Sequence, residues 1–288
     1  MHTEDSFFKE NPQIGIIGLG LIGGSCAKAF KQNTSFSVLG YDTGKDVIKK
    51  AVFSGAADGE IKSLSQCDII ISALYPKATA DFIESRCGEI KKGAVVTDFC
   101  GIKRYVANRI EPIAKKCGFC YIGAHPMAGI ERFGFENSQP DLFEGASLIM
   151  TPSEDVPNEA VNYLWSVLKR LGFAHLELTT PKIHDEVIAF TSQLAHVVSS
   201  AYIQSPSAMK QYGFSAGSYK DMTRVARLNE NMWTELFLEN KDPLKDEIEG
   251  LIERLSEFKD AIENSDEKKL FEILKKGREL KEEADGQI

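Results

Sequence analysis

Gly18-Leu19-Gly20-Leu21-Ile22-Gly23 closes a short apolar run, residues 13–18, and opens a segment, 21–31, that reads as a helix. Glycines in the pattern G-x-G-x-x-G mean little alone. Set between a strand and a helix, they are the fingerprint of a dinucleotide-binding loop. The first glycine permits a tight turn, the second lets backbone approach a pyrophosphate, and the third lets helix and strand pack closely. The first helical turn, with Leu21, Ile22 and Gly23, then points free N–H groups at the phosphates. An acidic residue is expected about 20 residues on, at the end of the next strand. Asp42 stands 24 positions after Gly18 and ends the run 36–42. Its carboxylate suits a ribose hydroxyl pair and repels a 2′-phosphate, so NAD is favoured over NADP, with Lys45 the only cation nearby. The plain alternative for Asp42 is a turn residue. Leu74, Tyr75 and Pro76, after the third strand, are placed at the cofactor as well.

Outward from this loop, apolar runs at 68–74, 94–98, 119–124 and 146–151 read as strands, and 45–54, 103–116 and 158–171 as helices. Alternation of this kind predicts an α/β fold, a Rossmann-type doubly wound and mostly parallel sheet. The pattern changes at Thr179-Thr180-Pro181, after which the signal is helical. A dinucleotide-binding domain over 1–179 and an all-α domain for substrate and dimerisation over 180–288 are therefore expected. Thr180 suits a helix cap and Pro181 a first turn. The spacing predicts one long helix over 183–202, with Val187, Phe190, Leu194, Val197, Val198 and Ala201 on one face. Asp185, Ala189, Ser192 and His196 share a more polar stripe, which is either solvated or turned to a site. The segments 243–262 and 267–282 are amphipathic and heavily charged. They suit an antiparallel helical pair packed on its own domain, or a dimer interface.

Composition narrows the function. With 43% hydrophobic and 26% charged residues the chain is ordinary for a soluble globular protein. A net charge of −8 argues against a nucleic-acid partner. No apolar run approaches the roughly 18–20 residues of a membrane span. The start, 1–13, is mostly polar, without a signal-peptide region, which points to the cytoplasm. Six cysteines all lie in the first half and read as reduced thiols. Cys117 and Cys120 form a C-x-x-C, a redox or half-metal pattern. No second ligand pair follows, and they read as a helix end and a strand, so no metal is expected.

Two further stretches carry chemistry. Gly123-Ala124-His125-Pro126-Met127-Ala128-Gly129 puts a histidine where the strand 119–124 stops. In open α/β sheets, ligands bind at that edge, and an imidazole exchanges a proton near neutral pH. A lone histidine there more often bonds a loop carbonyl; one beside a dinucleotide loop is a candidate base. Over 218–227, spacings of four and three set Lys220, Arg224 and Arg227 near one helical stripe. They form either an anion grip or a solvated face paired with Asp221 and Glu230.

Together these blocks resemble the prephenate dehydrogenase family, which includes arogenate dehydrogenases. The resemblance runs from Gln13 into the C-terminal helices and rests on 18–24, 123–134, His184-Asp185 with 192–196, and 220–226 followed by Met232-Trp233. It implies that His125 is the catalytic histidine and that Arg224 binds a substrate carboxylate. It likewise makes His196 a second pocket histidine and places Glu131 beside the site. It implies an NAD-dependent oxidative decarboxylation of prephenate, or of arogenate, by a homodimer joined through its C-terminal helices. Three positions depart from the family. Gly101 stands where serine is frequent, next to substrate and histidine, so water or Cys100 would have to supply the hydroxyl's role. Gln193 replaces a further histidine, and Ile130 a serine or threonine. A two-domain dehydrogenase of β-hydroxyacids or imines would share the glycine loop but not both the His125 and Arg224 blocks. A non-catalytic nucleotide-sensing dimer would give no reason for either.

Overall fold

The computed structural model describes residues 8–286, so residues 1–7 of the polar start lie outside it. Eight strands form one sheet: β1 (Gln13–Ile17), β2 (Ser37–Tyr41), β3 (Gly59–Glu60), β4 (Ile69–Ser72), β5 (Val95–Asp98), β6 (Cys120–Pro126), β7 (Ser147–Pro152) and β8 (His175–Leu178). Their order is β3-β2-β1-β4-β5-β6-β7-β8. The helices are α1 (Leu21–Asn33), α2 (Lys45–Phe53), α3 (Pro76–Arg86), α4 (Arg104–Cys117), α5 (Asn158–Leu168), α6 (Pro181–Ile188), α7 (Ala195–Ile203), α8 (Gly217–Thr223), α9 (Glu230–Glu239), α10 (Lys241–Glu263) and α11 (Glu267–Asp285). Every strand pair is parallel except β6 with β7. Ile14, Ile16, Ile69, Ile71 and Val95 enter one core cluster, and Ile17, Ile70 and Val96 another. Helices cover both faces of a parallel sheet, which is why these strands are apolar without alternation. No helix of the described residues is long and apolar enough to cross a membrane.

Five expectations change. The strand foreseen over 119–124 runs on to Pro126, because antiparallel β7 pairs along it, His125 opposite Ile149 and Pro126 opposite Leu148. His125 therefore sits inside a paired strand rather than beyond its end. The strands β3 and β8 were not foreseen: β3 has two residues, and β8 reads His-Leu-Glu-Leu, too polar to stand out. The helix 158–171 is α-helical only to Leu168, and a 3₁₀ turn ends it at Gly172, whose φ of 104° favours glycine.

The fourth change concerns the long helix. Thr180 caps it, accepting from the Ile183 N–H at 3.2 Å. It is interrupted by a π-helical turn, Ala189–Leu194, between α6 and α7. Val187 and Phe190, set on the apolar face, are 51% and 56% exposed, while His184, Asp185 and Gln193 are buried. Of the polar stripe, Asp185 and Ala189 turn inward, Asp185 with its hydrogen bonds satisfied there, while Ser192 and His196 are half-buried and Leu194 of the apolar face is buried as well. Fifth, 218–227 is not one helix. The α8 helix ends at Thr223, a tight turn takes 224–226, and Arg227 leaves helical geometry. Lys220, Arg224 and Arg227 thus share no stripe.

The described residues form two compact units. One extends to Asn240 and contains the whole sheet. The other starts at Lys241, where α10 and α11 pack on each other, the carboxylate of Asp266 capping the Lys269 N–H at 2.9 Å.

Candidate active site

The glycine loop joins β1 to α1. Gly18 has φ 88°, a conformation side chains resist, and a Cβ there would lie 2.7 Å from Leu74 Cδ2. A Cβ on Gly23 would stand 1.9 Å from the Gly18 carbonyl oxygen, so helix and loop touch through bare backbone. A Cβ on Gly20 would meet nothing within 4 Å, leaving an open face, and no side chain caps the start of α1. Leu21, Ile22 and Gly23 make up the first turn there. Asp42, just past β2, accepts from the Leu19 N–H through Oδ2 and the Gly44 N–H through Oδ1, both at 2.8 Å. Each oxygen keeps a lone pair for a hydroxyl. Leu74 packs by Gly18, Tyr75 precedes α3, and Pro76 is its first residue. An uncapped helix start, an open glycine and a fixed carboxylate fit a dinucleotide with a free ribose 2′-hydroxyl.

Farther along the sheet, β6 carries His125. Its Nδ1 lies 2.9 Å from Nε2 of His184, and His184 Nδ1 lies 2.7 Å from Asp185 Oδ1. Both partners belong to the first turns of α6. Burial works against the charge of Asp185. Even so, the His184 ring and the N–H groups of Arg104 and Lys103 hold its carboxyl below the usual range. Ionised, Asp185 accepts, so His184 carries its proton on Nδ1. A neutral His184 then accepts at Nε2, and His125 donates from Nδ1. What remains on His125 is the lone pair of Nε2. Burial first, then the facing His184, then the Lys103 ammonium push the His125 imidazole well below its ordinary range, so it stands neutral. Burial also lowers His184, against the pull of Asp185.

Beneath this pair lies a buried ionic cluster. The side chain of Lys103 is fully buried. Its ammonium donates to Asp98 Oδ1 and to the Ala124 carbonyl. Asp98 also accepts from the Tyr121 hydroxyl at 2.7 Å and the Cys100 N–H at 2.9 Å. Room for the lysine stem comes from Gly123, where a Cβ would lie 3.2 Å from Lys103 Cδ.

A second, more open cluster holds the remaining site residues. Arg224 Nη1 donates to Glu131 Oε1 at 2.8 Å, with the arginine side chain 68% exposed. Its pairing is with Glu131, on the loop that follows β6, not with Asp221 or Glu230. His196 lies on α7, where its Nδ1 donates to the Ser192 carbonyl at 2.8 Å and its ring stacks on Trp233 with centroids 4.0 Å apart. Burial lowers its imidazole, the backbone bond opposes, and Arg224 and Glu131 act on it as neighbouring charges. The structure thus groups His196, Arg224 and Glu131, and separately His125 and Gly101: a Cβ on Gly101 would be 3.9 Å from His125 Nε2.

The departures resolve as follows. Cys100 does not replace a serine hydroxyl, because its thiol points to the Leu74 carbonyl at 3.5 Å and Thr79 Oγ1 at 3.4 Å. Gln193 is buried, donating to the Leu236 carbonyl at 3.1 Å and accepting from Asn240 at 2.8 Å. It braces the π-helical turn Ala189–Leu194 against α9. Ile130 is exposed on the loop. Of the partners that orient His125, Asp185 entered the sequence reading on the polar stripe as well as in a family block, and His184 in the family block alone. Two adjacent polar residues in the first turn of an otherwise amphipathic helix were the signal available.

Known proteins resemble this chain along most of its length. A family model described as prephenate dehydrogenase, nucleotide-binding domain, matches residues 26–177, and one described as prephenate dehydrogenase, dimerization domain, matches 180–276. A prephenate dehydrogenase of Bacillus subtilis is 28% identical over 278 residues, 93% of this chain and 74% of the relative. The crystal structure of prephenate dehydrogenase from Aquifex aeolicus with hydroxyphenyl propionate and NAD+ superposes with a TM-score of 0.84 at 28% identity, covering 96% of this chain and 99% of that one. Arogenate dehydrogenase of Synechocystis superposes with a TM-score of 0.79 at 26% identity, over 94% and 99%.

Proposed function

We propose that this chain, which belongs to the prephenate dehydrogenase family and is an NAD-dependent oxidoreductase, catalyses the oxidative decarboxylation of prephenate to 4-hydroxyphenylpyruvate, a step of tyrosine biosynthesis. The observation that carries this reading is the His125–His184–Asp185 chain, which leaves one basic lone pair, on His125 Nε2, beside Gly101. The named activities of the B. subtilis and A. aeolicus relatives support the substrate.

Bound NAD+ supplies the hydride acceptor for the ring carbon that bears the hydroxyl. The chain's own residues do the rest. His125 Nε2 accepts the hydroxyl proton as general base. Its Nδ1–H stays on His184, and the imidazolium formed is steadied by that ring and by the Asp185 carboxylate behind it. Arg224 offers two parallel N–H groups to a substrate carboxylate, exchanging Glu131 for it. With Nδ1 committed to Ser192, His196 presents Nε2 as an acceptor to the substrate. Loss of the ring carboxylate as CO₂ makes the ring aromatic, the phenolate oxygen takes its proton back from the His125 imidazolium, and the reverse path is closed. Holding the groups in place supplies much of the rate.

The dimerization-domain match and the exposed apolar residues Ile183, Val187 and Phe190 support a homodimer in which a second copy covers that face of the long helix. The catalytic reading is tested by following NADH absorbance with NAD+ and prephenate, arogenate or a β-hydroxyacid. NADH with prephenate is expected. Turnover of arogenate alone would move the substrate to the amino acid, and turnover of the β-hydroxyacid alone would overturn the reading.

A further inference from the structure

Lys103 touches both ends of the proton-transfer chain. Its ammonium donates to the Ala124 carbonyl, which belongs to the peptide that bears His125. Its backbone N–H donates at 2.7 Å to Asp185 Oδ1, the same oxygen that receives the His184 N–H. A third bond ties the ammonium to Asp98, itself held by Tyr121 and the Cys100 N–H. A wholly buried lysine–carboxylate pair is a poor device for stability, since desolvation cancels much of the attraction and a well-packed apolar pair would serve as well. Its placement under His125 calls for another account.

We propose that Lys103 is a positioning residue for proton transfer, fixing through its side chain the peptide that carries His125 and through its backbone the carboxylate that sets the tautomer of His184. This rests on His125 being the base. Its charge adds a second effect. The titratable groups facing the His125 ring are His184, from α6, and Lys103, from the β5–α4 connection. Asp98 from β5, and Asp185 with Arg104 upon it, stand one contact farther. A fixed cation at this distance disfavours a second positive charge, so His125 is kept as free base and ready to accept a proton.

Lys103→Met alone would strand Asp98 without a counter-charge and threaten folding. The test therefore pairs it with Asp98→Asn in the full chain, folding and NAD+ affinity being checked first. The His125 imidazole is followed by NMR titration and assigned among the five histidines by comparison with His125→Asn. In the double variant the His125 midpoint and the acid limb of kcat/KM are expected to move up together by about one pH unit, with kcat reduced more than KM is raised. A folded double variant in which neither moves overturns the proposal, because a purely structural lysine would change stability alone. The two readings fail separately. If the unaltered chain makes no NADH from prephenate or arogenate, the dehydrogenase assignment falls, while the NMR midpoint still reports on Lys103.

Discussion

The His125 cluster and the Arg224 cluster are built on opposite plans. Around His125 each polar atom but one has a partner: His184, Asp185, Lys103, Asp98 and Tyr121 are linked by short bonds and shut away from water. Around Arg224 the guanidinium is exposed and holds one carboxylate, that of Glu131, on a surface loop. A solvent-exposed pair of this kind contributes about 0–1 kcal/mol and is readily exchanged. Proton transfer needs a fixed lone pair, whereas capturing an anion needs a grip that opens. The molecule places rigidity and looseness accordingly.

The largest break in this contrast is expected from His125→Asn. Turnover should drop by about 10²–10⁴-fold, the usual worth of a general base, while NAD+ affinity, measured by fluorescence titration, stays put. Loss of both together would show that the variant disturbs the fold rather than the base. Next comes His184→Ala, which leaves the base in place but frees its ring. A fall in kcat of about 10²-fold is expected from misorientation, with the KM for NAD+ unaltered. An unchanged kcat would mean that the bond to His184 does not set the His125 tautomer.

Arg224→Ala addresses the loose side. A charge-assisted bond of about 1.5–3 kcal/mol lost from the substrate carboxylate predicts a KM rise of about tenfold to a hundredfold, with kcat little changed. If steady-state kinetics give an unchanged KM for substrate, the anchor lies elsewhere. The smallest effect is expected at Gly101→Ser. The new Cβ would meet Leu236 Cδ2 at 3.6 Å, ordinary contact, and no positive φ strains it. Because His184 already orients the ring, a hydroxyl there should alter kcat within about fivefold, the scale of one net hydrogen bond. A gain beyond tenfold would mean that His184 alone holds the base too loosely.

The same contrast explains what the amino-acid sequence disclosed. The nucleotide half was legible because its determinants are local: Gly18, Gly20 and Gly23 lie within six residues, and Asp42 directly follows the adjacent strand β2. His125 was legible as a residue but not as a geometry, since His184 lies 59 positions away and antiparallel β7, which carries β6 past His125, leaves no mark on the apolar run itself. The outward placement of Val187 and Phe190 ran against periodicity. Polar residues such as Gln193 turn inward only when partners as distant as Leu236 and Asn240 await them. The cation stripe at 220–227 failed because it assumed a continuous helix, whereas α8 stops at Thr223.

The π-helical turn at Ala189–Leu194 has a bearing on how this segment tolerates change of length. His184 lies before the turn and His196 after it, each fixed in rotation by a different neighbour, His125 and Trp233. Such a wide turn accommodates one residue more than an α-helix would, often at functional positions. Excising a single residue there would restore regular winding and turn everything downstream by about 100° relative to the upstream half. Loss of one codon within these six positions would thus pull the two imidazoles out of phase.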